Sequence, residues 1–419
     1  SGQLVWRLVV PRLEIDRKLV SEDFDDMNLG ICSTPTVEGG RVYLVTNRAE
    51  VVCLDVAGMA NGNDGPFREE AFFSVSGDAT AVEPGPRDAD IVWRFDMIRS
   101  LPIFPHDASH CSILVVGDHL YVGTGNGVYD GKVVLPTAPS LIVLDKRTGR
   151  LVARDDGKIS ANVFHGQWSS PTLAGSGPTT RLVFGGGDGL CHGFVPLAAS
   201  TQPAKQPATL AEEWWFDCNP AGYRERNGER IDYWALVRGG RRTLDDDGML
   251  VSPSEIIGSP VVVGNRIYVG IGQDPVHGPG RGALSCIALG GTGDVTATHR
   301  VWQYLGIGRS LSTVAVADGL VYAAEYAGKV HCLDADTGEL RWFHDTREEI
   351  WSSPCVVDGK VFIGTRKALT VLAAGAEKNV LAEIRLGTPV WSNPCAANKT
   401  LFVASQKNLW AVEEQGEMP

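Results

Sequence analysis

None of the nine cysteines (32, 53, 111, 191, 218, 286, 332, 355 and 395) forms a C-x-x-C pair. That excludes a zinc ribbon, a thioredoxin-type redox motif and a c-type haem attachment site. Most of the cysteines lie in apolar strand patterns such as VVCLD, LSCIA and VHCLD, where a thiol serves as a small buried hydrophobe. Lys and Arg never gather into a long run, and the net charge is −12. Phosphate binding needs a positive stripe, so nucleic acid is not an expected partner. No apolar stretch approaches the roughly 20 residues of a membrane-spanning helix. The first residues, SGQLVWRLVV, have no basic start and no small-residue cleavage site. They read as a mature or trimmed end, with any targeting segment outside this sequence.

Glycine, by contrast, is abundant, with 49 in 419 residues. Short apolar runs alternate with Gly, Pro, Asp and Asn clusters, which is a β-rich pattern. The segment 311–345, LSTVAVADGLVYAAEYAGKVHCLDADTGELRWFHD, holds four such runs. Ala-Asp-Gly, Tyr-Ala-Gly and Asp-Thr-Gly mark the turns between them. The same order recurs at 32–56, 111–153, 168–194, 257–294, 351–375 and 391–412. One four-stranded antiparallel unit cannot bury both faces alone. Repeated units packed radially can, which predicts a single all-β domain over 1–419, a β-propeller of seven four-stranded blades (A to D). The last copy lacks a D strand, and QLVWRLVV with Trp6 is an orphan one. The N-terminal strand is therefore expected to complete the last blade and close the ring. An eighth blade would require sequence upstream.

LDADTGELRW (333–342), with the partial copies LDKRTGRLVA (144–153) and CLDVAG (53–58), resembles the tryptophan-docking repeat of the pyrroloquinoline quinone (PQQ) propeller superfamily. The tract FPHDASHCSILVVGD (104–118) is similar to PQQ-like propeller proteins of environmental bacteria. The resemblance covers nearly the whole chain. It implies the propeller fold and, since its members are mostly exported, a periplasmic or cell-surface location. Some members are quinone-dependent alcohol or sugar dehydrogenases, and others are cofactor-free scaffolds of outer-membrane protein assembly. The enzymes carry adjacent cysteines over the quinone and Glu, Asn and Asp ligands for calcium. This chain has no Cys-Cys pair and no convincing match to those ligands, so their catalytic residues are not carried over.

The D–A loops and B–C turns of such blades emerge on one face, the channel mouth. His165 in VFHGQWSSPTL falls in one D–A loop, and His106, Asp107 and His110 fall in the preceding one. Convergent imidazoles and a carboxylate suit a transition metal or general-base work, whereas lone loop histidines only bond backbone. Trp168 recurs as Trp351 and Trp391, each before Ser-x-Pro. Recurrence favours packing, and the functional alternative is aromatic stacking of a ligand. The B–C turns add Asp188, Asp274, Glu325 and Arg366, and Arg309 joins the mouth from a D–A loop. Two insertions break the repeat: 58–90 in the first C–D turn and 219–254 in a D–A loop, the latter a lid rich in Arg and aromatics. The favoured reading is a binding or assembly scaffold for a protein, small-molecule or sugar partner. A PQQ- and calcium-dependent oxidoreductase is second. A carbohydrate-active or metal site on His106, His110 and His165 is third.

Overall fold

The structure is a computed structural model. It describes the chain apart from residues 1, 13–18, 21–23, 25–28, 77–78, 109–110, 130, 199–205, 227, 232–253, 273–279 and 414–419. The protein is all-β, with seven mostly four-stranded antiparallel sheets in the arrangement of a seven-bladed propeller. It divides into two compact units, the first holding sheets one and two and the second holding sheets three to seven.

The fifth sheet shows how sequence becomes blade. Ala315–Ala317, Leu320–Ala324, Lys329–Asp334 and Leu340–Asp345 pair in order, each antiparallel to the next. Successive residues of a strand face opposite sides. Val321, Ala323 and Leu333 accordingly pack on the fourth sheet, while Tyr322, Ala324 and Cys332 pack on the sixth. Inner strands buried on both faces explain why the repeats read as continuous apolar runs.

The Leu-Asp-x-x-Thr-Gly turn has a defined job. Asp334 Oδ1 accepts from the Asp336 and Thr337 amides and the Thr337 hydroxyl. Asp145 closes the 144–153 copy in the same way. The turn thereby presents a carbonyl to the D-strand tryptophan of the preceding sheet. Trp93 donates to Lys146 O at 3.2 Å, Trp302 to Ala335 O at 3.0 Å and Trp342 to Gly375 O at 2.9 Å.

Ser-x-Pro is punctuation of a second kind. The residue at this position, before proline or before Ile113 and Val314 in the two copies without it, offers its side chain to the amide that leads into strand A of the preceding sheet. In the first unit Ser112 Oγ accepts from Thr34 N and Ser170 Oγ from Ser112 N. In the second unit Thr313 Oγ1, Ser353 Oγ and Asn393 Oδ1 accept in turn from Ser259, Thr313 and Ser353. A hydrogen-bonded chain thus runs from sheet to sheet through the innermost strands of each unit.

The expected ring closure is not seen. Among the described residues the last sheet has three strands, Cys395–Ala397, Thr400–Ala404 and Leu409–Glu413. The N-terminal segment bonds elsewhere: Arg7 N donates to Arg87 O and Ala89 N to Arg7 O, at the end of the 58–90 insertion. Trp6 still behaves as a docking tryptophan, giving its Nε1 hydrogen to Val56 O at 2.8 Å. The insertion supplies a local edge, and that edge satisfies the backbone the repeat pattern had assigned to the last sheet.

That insertion forms two short helical turns, Gly58–Asn61 and Glu70–Phe73. It reaches the B–C turn of its own sheet, where the Arg48 guanidinium lies 5.1 Å from the Phe73 ring centroid. Of the 219–254 insertion, residues 232–253 lie outside the described residues. Its ends are clamped, Asn219 Nδ2 donating to Ser254 O and Ser254 N returning to Asn219 Oδ1, both at 2.8 Å.

Candidate functional site

In both units the D–A loops clasp the B–C turns, as the repeat pattern predicts. In the first unit Phe104 N donates to Asn126 Oδ1, His106 N to Gly125 O and Gly127 N to Phe104 O. The next D–A loop closes from the other side, His165 O accepting from Val128 N and Phe164 N donating to Gly187 O. These bonds bring His106 and His165 together. Their Nε2 atoms are in direct hydrogen-bonding contact, and the rings are 5% and 4% exposed by residue. Asp107 Oδ1 is 3.4 Å from His106 Nε2. One donor atom from each of the three lies within 4.8 Å of the others.

Close backbone approach makes this possible. A Cβ on Gly127 would sit 2.7 Å from both His106 Cβ and His165 O, and one on Gly187 would sit 2.0 Å from Gly166 O. Asp107 adopts φ 57°, the left-handed region that Asp enters more readily than most residues. Trp168 walls the pair, edge-on to His165 at 5.4 Å between centroids and 6.4 Å from His106.

The second unit carries a different cluster. The Arg309 guanidinium stacks 3.8 Å from the Tyr326 ring centroid, and Arg309 is 1% exposed. Tyr326 meets Trp351 edge-on at 5.8 Å, and Trp351 meets Trp391 at 6.1 Å. Trp351 is 39% exposed. Beneath this row, buried Glu325 accepts from Gly308 N at 2.6 Å and contacts His331 Nε2 at 3.1 Å, and the Tyr304 hydroxyl lies 3.3 Å from His331 Nδ1. Burial pushes the Glu325 carboxyl up. The His331 and Gly308 hydrogen bonds and the charges of His331 and Lys329 outweigh it and hold it below the usual value. Arg366 stands apart in an exposed ion pair with Glu348 at 3.0 Å, shared with Lys367.

The structure therefore gathers His106, Asp107, His165 and Trp168 in one unit, and Arg309, Glu325, Trp351 and Trp391 in the other. Asp188 is buried in the first unit. His110 and Asp274 lie outside the described residues. The three tryptophans share a repeat position but not an environment, since Trp168 is buried and Trp351 is partly exposed. The B–C polar residues Arg48, Asn126, Asp188 and Glu325 are buried. Sequence reasoning missed Tyr326, His331 and Tyr304. His331 did carry a signal, an imidazole at an inward position of an otherwise apolar strand.

A family model described as outer membrane protein assembly factor BamB matches residues 292–415, less than a third of the chain. Among solved structures, BamB from Moraxella catarrhalis is similar at 14% identity and TM-score 0.54, over 93% of this chain and 84% of that one. The fold is that of the PQQ-like β-propellers. Two dehydrogenases show the same likeness. The quinohemoprotein alcohol dehydrogenase ADHIIG of Pseudomonas putida HK5 aligns at 13% identity and TM-score 0.53, over 90% of this chain and 63% of that one. A europium-containing methanol dehydrogenase aligns at 12% identity and TM-score 0.51, over 89% and 72%. No curated protein matches the sequence.

The residues of this propeller do not fit the quinone and calcium that the resemblance implies for the enzymes. No two cysteines are adjacent, and none is in a disulfide. Two of the buried carboxylates are held by protein donors, Glu325 as above and Asp155 by the amides of Ser140, Leu141 and Gly157. No reaction step is derived through that cofactor.

Proposed function

We propose that the protein is a binding or assembly propeller that engages a protein partner, in a periplasmic or cell-surface setting. The observation that carries this reading is the row Arg309–Tyr326–Trp351–Trp391, in which Trp351 is 39% exposed. Protein interfaces are anchored by Trp, Tyr and Arg set in a polar rim. The row is rigid, because its D–A loops are bonded to the B–C turns: Tyr326 N donates to Arg309 O and Ile350 N to Tyr326 O. The likeness to an assembly factor supports the same reading. No helix among the described residues is long and apolar enough to cross a membrane.

A photo-crosslinking amino acid placed at Trp351 tests it. One discrete adduct in cells, identified by mass spectrometry and lost on Trp391→Ala, is the expected result. Absence of any adduct would overturn it, as would turnover of an alcohol by the purified protein with PQQ, calcium and an artificial electron acceptor.

A further inference from the structure

We propose that His106, His165 and Asp107 form a binding site for a late first-row divalent metal ion of the zinc, cobalt or nickel class. Nothing in this inference depends on the partner-binding row, which lies in the other unit.

The argument begins with the donors. Two buried imidazoles present the same nitrogen, Nε2, to each other, and a carboxylate oxygen lies 3.4 Å from one of them. One donor atom from each of the three lies within 4.8 Å of the others, so a single divalent ion can take all three lone pairs at once. Two imidazoles and one carboxylate form a donor set of transition-metal sites, and three protein ligands leave one position open in a tetrahedral ion. Calcium and magnesium prefer oxygen-only shells and are not the class expected.

The scaffold supports the assignment. The histidines come from two consecutive D–A loops, each bonded to the 124–128 turn. Gly127, Gly166 and Gly187 are positions where a Cβ would collide with the site's backbone or with Trp168. The Asp107 side chain is 23% exposed, which gives an ion a path in from solvent past a ligand that can turn to meet it. A bound ion would tie the two loops together across the second sheet.

The experiment is titration of the chelator-treated full chain with cobalt(II), read by absorption and by thermal unfolding. The expected result is one equivalent bound, visible d–d bands, no thiolate-to-cobalt charge-transfer band, and a Tm that rises with cobalt. His165→Ala should abolish the signal. Asp107→Asn, at a partly exposed residue whose left-handed backbone Asn also tolerates, should fold normally and weaken binding by about tenfold or more, by analogy with perturbed metal sites. Failure to bind stoichiometrically would overturn the proposal. So would binding that survives both substitutions, or a thiolate charge-transfer band, either of which would place the ion on surface histidine or cysteine.

Discussion

Gly338 holds φ at +73°, and a Cβ there would lie 2.6 Å from the Trp302 ring. Both the backbone angle and the space require glycine. Gly338→Ala is expected to cost about 2 kcal/mol or more, read as a drop in the urea midpoint at unchanged slope. Trp342→Phe keeps most of the packing but removes the donor to Gly375 O, and it should cost about 1 kcal/mol. Glu325 gives a pH dependence. Its carboxyl is held below the ordinary 4.5 in the fold. A carboxylate with a lowered folded value contributes stability above its unfolded value and loses it as pH falls through the folded one. The denaturation midpoint should therefore decline in acid below about pH 4.5, and Glu325→Gln should flatten that limb. An unchanged limb in the variant would assign acid sensitivity to other carboxylates.

At the scale of elements, the sheets are held in register by side chains that the sequence repeats. Ser352 is buried; its hydroxyl donates to Gly364 O at 2.9 Å and accepts from Gly364 N at 2.7 Å. Ser352→Ala leaves both backbone groups unpaired in the interior, so a loss of about 1–3 kcal/mol is expected, with faster amide exchange at Gly364. The Trp-Ser-x-Pro stretches were legible as strand starts because their spacing matches the turn punctuation. The N-terminal strand was misplaced for a physical reason. The repeat identifies which backbone needs a partner, but the partner came from the 58–90 insertion, which has no repeat. The meeting of His106 and His165 was legible too, since consecutive D–A loops of a propeller are neighbours. The Arg309–Tyr326 stack was not: Tyr326 sits in a Tyr-Ala-Gly turn, and nothing in a turn signal states which way its ring faces.

At the scale of the whole molecule, the −12 net charge and the absence of a basic run limit the partners. No retention on duplex DNA is expected at about 0.1 M salt, where the Debye length is about 10 Å. Salt-sensitive binding to DNA in a filter or gel assay would contradict this. The fold class was readable from the sequence because every blade repeats the same few local signals. The candidate sites were only partly readable, because burial at one repeat position differs from blade to blade, as Trp168 and Trp351 show.

That no cysteine is in a disulfide has a consequence for handling and for habitat. Six are buried, two are half-buried, and Cys395 is exposed. Burial raises the Cys53 thiol to about 12 and those of Cys111 and Cys332 to about 11. Thiolate is the species that oxidises and exchanges, so these groups behave chemically as hydrocarbon. Thiols buried in this way do not cross-link in an oxidising compartment. In the laboratory it should accept one maleimide rapidly, at Cys395, leaving a single fluorescent handle on the native protein.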